Sequence, residues 1–241
     1  LPSNTGPHPI VAFIHGGFYR AKYGLEHAGW LCQALADCGI AAWSIEYRRL
    51  GNPGGGWPNT FLDVLAGTHY VRVLAERFPL DLDRLALMGH SAGGHLALWA
   101  AAARSIPLEE PLHDGQPLAL RAAVSLAGVL EPRRAWSLRL GDHVIQELLG
   151  GGPEQVPERY AVASPGDLLP VGIPQILVHG KEDEVVPLEM SAGYAARARA
   201  AGEGVIFLPL SATGHFDLID PGSRVWPQVL DLVRQALDLQ P

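Results

Sequence analysis

Arg84-Leu85-Ala86-Leu87-Met88-Gly89-His90-Ser91-Ala92-Gly93-Gly94-His95-Leu96-Ala97-Leu98 decides the fold. A short apolar strand, Arg84 to Met88, runs into Gly89-His90-Ser91-Ala92-Gly93-Gly94. An alanine-rich apolar helix, Gly93 to Ala103, leaves it. A serine in a G-x-S-x-G turn between a strand and a helix is the setting of a nucleophile elbow. The turn is sharp and projects Oγ above the sheet edge with a strained backbone. Side chains two residues before or after the serine would clash, which is why Gly89 and Gly93 carry none. The N–H of Ala92 lies at the helix N-terminus, where partial positive charge favours a developing oxyanion.

Outward from the elbow, strand and helix patterns alternate. Pro9 to Ile14 is an apolar strand ending at His15-Gly16-Gly17, and Leu25 to Asp37 reads as a helix stopped by Gly39. Ile40 to Tyr47 is the next strand. Thr60 to Phe78 reads as one long helix, with Thr60 as its cap, Asp63 in its first turn and Pro79 as its end. Strands at Arg121 to Leu126, Pro174 to His179 and Val205 to Leu210 follow, with helices at Leu188 to Ala201 and Trp226 to Leu239. This rhythm predicts an α/β fold, a mostly parallel central sheet covered by helices on both faces. Residues 1–241 read as one domain. Leu130 to Pro170 holds no strand and reads as a small cap or lid insertion at about 130–170.

A serine hydroxyl needs a base and an orienting acid. For this elbow the chain order is Ser, then Asp or Glu, then His. Asp183 follows the strand ending at His179, with Glu182, Glu184 and Asp217 as rivals; His215 follows the strand ending at Leu210. Both lie beyond strand C-termini, where open parallel sheets place ligands. The catalytic candidates are therefore Ser91, Asp183 and His215. The oxyanion-hole candidates are Ala92 with Gly17 or Phe18, because glycines let the His15-Gly16-Gly17 backbone approach a substrate oxygen. His15 reads as holding that loop. His90 and His95 read as packing or hydrogen-bonding near the elbow, and His90 is also a candidate at the substrate pocket. The other pocket candidates are Tyr19 and Trp57, with Phe18 beside them, and His143 of the insertion. Trp136, Leu148 and Leu149 are expected to help cover the site.

Composition narrows the classes. The 241 residues are 48% hydrophobic and 18% charged, which excludes a disordered chain. A net charge of −7 argues against a nucleic-acid partner. The longest apolar run, Leu96 to Ala103, falls far short of the ~18–20 residues that span a membrane. Cys32 and Cys38, six residues apart near the end of a helix, read as two packed thiols, and no cluster at ligand spacing suggests a metal. No cofactor is required. The chain starts at Leu1, not Met, which reads as cut or processed upstream; with no signal peptide visible, the expectation is a cytoplasmic monomer or homodimer.

These motifs, in this order over nearly the whole chain, resemble the α/β-hydrolase superfamily. Within it, the chain is similar to the H-G-G esterase and lipase group, near acetyl-esterases, feruloyl-esterase-like proteins and kynurenine formamidase. The resemblance rests on His15-Gly16-Gly17, Gly89 to Gly94, the His-Gly-x-x-Asp-x-x-Val-Pro run at His179 to Pro187, and Gly214-His215. Tyr47-Arg48-Arg49, Trp57-Pro58 and Asp63 resemble a structural stretch of the hormone-sensitive-lipase group. Phe18 stands where that group carries a fourth glycine, which moves the resemblance toward the esterase and formamidase branches. The family also has two strands ahead of the H-G-G strand, and the nine residues before Ile10 leave no room for them. The resemblance implies a serine hydrolase that cleaves small, short-chain carboxylic esters through an acyl-enzyme. An arylformamidase and a feruloyl or acetyl-xylan esterase are the alternatives, and a binding module without catalysis is the reading from another class.

Overall fold

Alternation of apolar residues builds the sheet. In the computed structural model, which describes residues 1–239, Ile10, Ala12 and Ile14 of β1 (His8–Ile14) face one apolar cluster, while Val11 and Phe13 face the other. Leu85 and Leu87 of β3 (Leu80–His90) divide from Ala86 and Met88 in the same way. Both faces are thus buried, as a parallel sheet demands. With β2 (Ala41–Ile45), β4 (Ala122–Leu126), β5 (Gln175–Gly180) and β6 (Val205–Leu210), the strands form one sheet in the order β2-β1-β3-β4-β5-β6. Every neighbouring pair is parallel.

The chain moves outward from β1 to β2 and then returns to β1's other side as β3. That reversal opens a crevice beyond the C-termini of β1 and β3, the place where such sheets bind ligands. The His15 loop leaves β1 there and the elbow leaves β3.

On one face lie α1 (Gly29–Asp37), preceded by a 3-10 turn over Leu25–Ala28, and α9 (Trp226–Ala236). α9 turns Val229, Leu230, Val233 and Ala236 into the core, so it packs on the sheet. On the other face lie α2 (Asn59–His69), α3 (Val71–Ala75), α4 (Ala92–Ala102) and α8 (Glu189–Ala200). Every residue of α4 is buried, as expected for a helix apolar on all sides. Its outer surface is covered by residues 130–170, which carry α5 (Pro132–Ser137), α6 (Leu140–Leu149) and α7 (Pro157–Ala163). Trp99 donates its indole N–H to the carbonyl of Val162 at 3.0 Å, tying α4 to α7.

Some expectations need correction. The helix read from Thr60 to Phe78 is divided at Tyr70, although hydrogen bonds from Tyr70 to Ala66 and from Leu74 to Tyr70 carry across, and α3 ends at Ala75. Thr60 does not cap it: its hydroxyl lies inside α2, accepting the Gly56 N–H and donating to the Arg48 carbonyl. Asp63 instead takes a two-pronged contact from the Arg48 guanidinium at 2.7 Å per bond. β3 starts earlier than read, at Leu80. Cys38 is exposed, so only Cys32 is a partly packed thiol. Among the described residues no helix is long and apolar enough to cross a membrane, and no group of His, Cys, Asp or Glu is placed to hold a metal ion.

Candidate active site

The elbow is fixed by contacts that exclude side chains. Ser91 sits between β3 and α4 with φ 57° and ψ −121°, a left-handed conformation that costs a non-glycine residue on the order of 1–3 kcal/mol. A Cβ on Gly89 would lie 2.1 Å from the Gly93 carbonyl oxygen, and one on Gly93 would lie 2.0 Å from that of Ile14. The Ser91 N–H donates to the Leu126 carbonyl at 2.8 Å, anchoring the turn to β4. Ala92 is the first residue of α4, so its own N–H has no intrahelical partner.

The loop after β1 presses against this turn. A Cβ on Gly16 would come within 2.8 Å of the His90 carbonyl oxygen and 3.0 Å of the Ser91 Cβ. Gly17, Phe18 and Tyr19 then take positive φ in succession, at 110°, 51° and 55°. The turn that follows is closed by Arg20 N–H to the Gly17 carbonyl, which leaves the N–H groups of Gly17 and Phe18 outside that bond. His15 holds the loop from beneath. Its Nδ1–H donates to the Gly16 carbonyl at 2.8 Å, its Nε2 accepts from Arg49 at 2.8 Å, and its ring stacks on Tyr47 at 4.6 Å. Arg49 is itself paired with Glu46. Burial pushes the His15 pKa down, against the pull of its hydrogen bonds and Glu46.

The loops after β5 and β6 bring Asp183 and His215 together. His215 Nδ1–H donates to Asp183 Oδ2 at 2.7 Å. The N–H groups of Val185 and Val186 donate to Asp183 Oδ1, each at 2.8 Å. The Asp183 side chain is wholly buried. Burial alone would raise its pKa, but hydrogen bonds from His179, His215 and the Val186 N–H outweigh that and hold it well below the usual carboxylate range. The rivals face elsewhere. Glu182 accepts the Thr213 N–H, Asp217 accepts the Gly214 N–H, and Glu184 is exposed.

Ser91 and His215 line one cavity of about 90 Å³, with Gly17, Phe18, Tyr23, His27, Val185 and Phe216. Of the other candidates for the substrate pocket, none lines this cavity. Tyr19 is fully buried and its hydroxyl donates to His95 Nδ1 at 2.8 Å, because its backbone turns the ring into the core. His90 is fully buried behind His215. Trp57 is partly buried and packs edge-on against Phe61 at the margin of the core. His143 sits at the left-handed start of α6, half-buried, and does not line the cavity. Leu148 and Leu149 are buried in the core, and Trp136 donates to Gln146. Sequence reasoning missed Tyr23, His27, Val185 and Phe216. Val185 and Phe216 are immediate neighbours of Asp183 and His215, a signal available in the sequence; Tyr23 and His27 follow no pattern that points to the site.

A family model, BD-FAE, matches residues 1–197, a stretch that includes Ser91 and Asp183 and stops before His215. Among curated proteins, "Esterase LipC" of Mycobacterium tuberculosis is 30% identical over 243 residues, covering 92% of this chain and 56% of its own length. "Probable carboxylic ester hydrolase LipM" of the same organism is 28% identical, covering 89% and 51%. The chain thus spans about half the length of the curated relatives it matches. Among solved structures, a truncated carbohydrate esterase from gut microbiota superposes with a TM-score of 0.81 at 21% identity, over 99% of this chain and 89% of its own. An esterase from the planctomycete Thermogutta terrifontis, Est2 with propionate bound, gives 0.76 at 24% identity, over 100% and 89%. Both likenesses establish the α/β-hydrolase fold.

Proposed function

This chain belongs to the BD-FAE family, and from that premise we propose that it is a serine hydrolase cleaving short-chain carboxylic esters through an acyl-enzyme. The observation that carries the reading is the shared cavity of Ser91 and His215, with His215 tied to Asp183 at 2.7 Å. The esterase names of the relatives point the same way.

In the proposed reaction Ser91 Oγ attacks the ester carbonyl carbon while His215 Nε2 takes its proton. Asp183 fixes the imidazole so that Nδ1 carries hydrogen and Nε2 is free to accept, and it stabilises the cation that forms. The N–H groups of Ala92 and of Gly17 or Phe18 receive the tetrahedral oxyanion. His215 then hands the proton to the leaving alcohol, and water repeats the sequence to release the acid. No resident metal or cofactor enters these steps. The helices of residues 130–170 act as a cap, holding the Phe18 loop from outside.

Cavity size supports a short acyl group. About 90 Å³ is well below the roughly 300–1,000 Å³ of pockets that enclose drug-sized ligands. The test is a rate comparison on p-nitrophenyl acetate, butyrate and octanoate beside N-formylkynurenine, with Ser91→Ala as blank. Ester turnover that falls with chain length and vanishes in Ser91→Ala is expected. Appreciable turnover by Ser91→Ala would remove the acyl-enzyme, and a higher kcat/KM on N-formylkynurenine would reassign the substrate to a formamide.

A further inference from the structure

Three histidines stand in line behind the nucleophile, and the reaction just described uses one of them. His90 Nε2 lies 2.9 Å from the backbone carbonyl oxygen of His215. A carbonyl only accepts, so Nε2 carries the hydrogen. His90 is fully buried. Burial first, and then the neighbouring His215 and His27, push its pKa well below the ordinary histidine value, so the ring is neutral and Nδ1 holds a lone pair. That lone pair faces His27 Nε2 at 3.2 Å, and His27 must be the donor. The bonds run in one direction: His27 N–H to His90, then His90 N–H to the His215 backbone.

We propose that His27 is a positioning residue for His215, acting through His90, and that it sets the turnover of the acyl-enzyme chemistry. The proposal rests on the triad reading above. His215 is held at Nδ1 by Asp183, at its carbonyl by His90, beside the tilted His90 ring at 4.4 Å, and in a T-shaped contact with Phe216 at 5.1 Å. His27 supplies the hydrogen bond that keeps His90 in that pose. Without it, His90 Nδ1 is a buried acceptor with no donor, which favours any ring orientation that finds one. Reorientation takes the Nε2–H away from the His215 carbonyl and loosens the base relative to Ser91. A misplacement of about 1 Å between reacting groups costs up to about 10²-fold in rate.

His27 also lines the cavity, so its role as a wall must be separated from its role as a donor. Phe keeps a ring and loses the donor. Gln places an amide N–H near the position of Nε2. Asn is polar but one carbon too short to reach His90. Steady-state kinetics of the full chain on p-nitrophenyl acetate, with thermal unfolding of each variant, makes the distinction. His27→Phe and His27→Asn are expected to lower kcat by ten-fold or more, up to about 10²-fold, with KM held within about threefold. His27→Gln is expected to recover most of that loss. In proton NMR, the low-field resonance of the His215 to Asp183 hydrogen bond should broaden or shift in Phe and Asn and return in Gln. The proposal is overturned if kcat survives in folded His27→Asn, if the change falls on KM alone, or if Gln is as impaired as Asn. Ser91→Ala in the same series reads the triad separately: activity there would overturn the acyl-enzyme, whereas a dead Ser91→Ala beside an active His27→Asn would overturn only the role of His27.

Discussion

At Gly93 a Cβ would lie 2.0 Å from the carbonyl oxygen of Ile14 and 2.6 Å from that of His15. Both are backbone atoms at the root of the loop after β1, so no side-chain rotation relieves the clash; β1 and α4 would have to part. Gly93→Ala is therefore expected to destabilise the protein by about 3 kcal/mol in urea unfolding and to abolish turnover. Gly193 is the control. It lies inside α8 with open space where a Cβ would go, and Gly193→Ala is expected to add about 0.5–1 kcal/mol with activity unchanged. The two results together would show that the penalty is the elbow's and not glycine's in general; equal effects would defeat that account. The sterics also explain what was legible. Gly89, Ser91 and Gly93 declare themselves because the turn tolerates few other residues. Tyr19 misled because nearness in sequence to Phe18 does not fix which way a ring points: at φ 55° the chain sends it to His95.

The stretch 130–170 is legible as an element without strands and illegible in its handedness. Its prolines and glycines marked a departure from the strand–helix rhythm, but nothing in them announced that Arg139, Gly141, Asp142 and His143 would take φ of 54–59° and open α6 with a left-handed turn. That turn matters to the site. A Cβ on Gly141 would lie 2.6 Å from Phe18 Cδ1. The Phe18 ring therefore rests on Gly141, and the loop is further held by the Arg20 guanidinium, two-pronged on Glu147 at 2.9 and 3.0 Å. Gly141→Ala is expected to displace Phe18 and with it a proposed oxyanion donor. Turnover should fall roughly tenfold or more, toward the 10²-fold of a lost donor, with a stability loss of about 1–2 kcal/mol. Glu147→Ala removes an exposed ion pair, worth under about 1 kcal/mol and screened by salt, and should cost less activity. Kinetics of both variants at low and high salt check this; a Gly141→Ala enzyme as fast as the parent would show that the insertion does not position the loop.

Across the whole molecule, the alternation of buried residues made the parallel sheet readable, whereas the ties between its loops were not, because they run through histidines far apart in sequence. His15 joins the loop after β1 to Arg49 and Glu46, and His90 joins the elbow to the loop after β6. His95 accepts from Tyr19 and donates to the Ala163 carbonyl at 2.7 Å, joining the loop after β1, α4 and α7. Burial lowers the pKa of all three and of His27, with His95 pushed down to about 4. The unfolded chain takes up protons at these sites below about pH 6.5 while the folded protein does not. Stability is thus fully present above that pH and falls as the solution is acidified, by about 1.4 kcal/mol per pH unit for each site still neutral in the fold. For His95 the loss continues down to about pH 4, where the folded protein also binds the proton. A Gln at position 95 offers an acceptor and a donor but no titration. His95→Gln is expected to be less stable than the parent at pH 7.5 and to close that gap between pH 6.5 and 4.5, with a slope lower by about one proton. Urea unfolding at half-unit pH steps measures it. A slope identical to the parent's would mean that His95 is not neutral in the folded protein, and its bonds to Tyr19 and Ala163 would have to be redrawn.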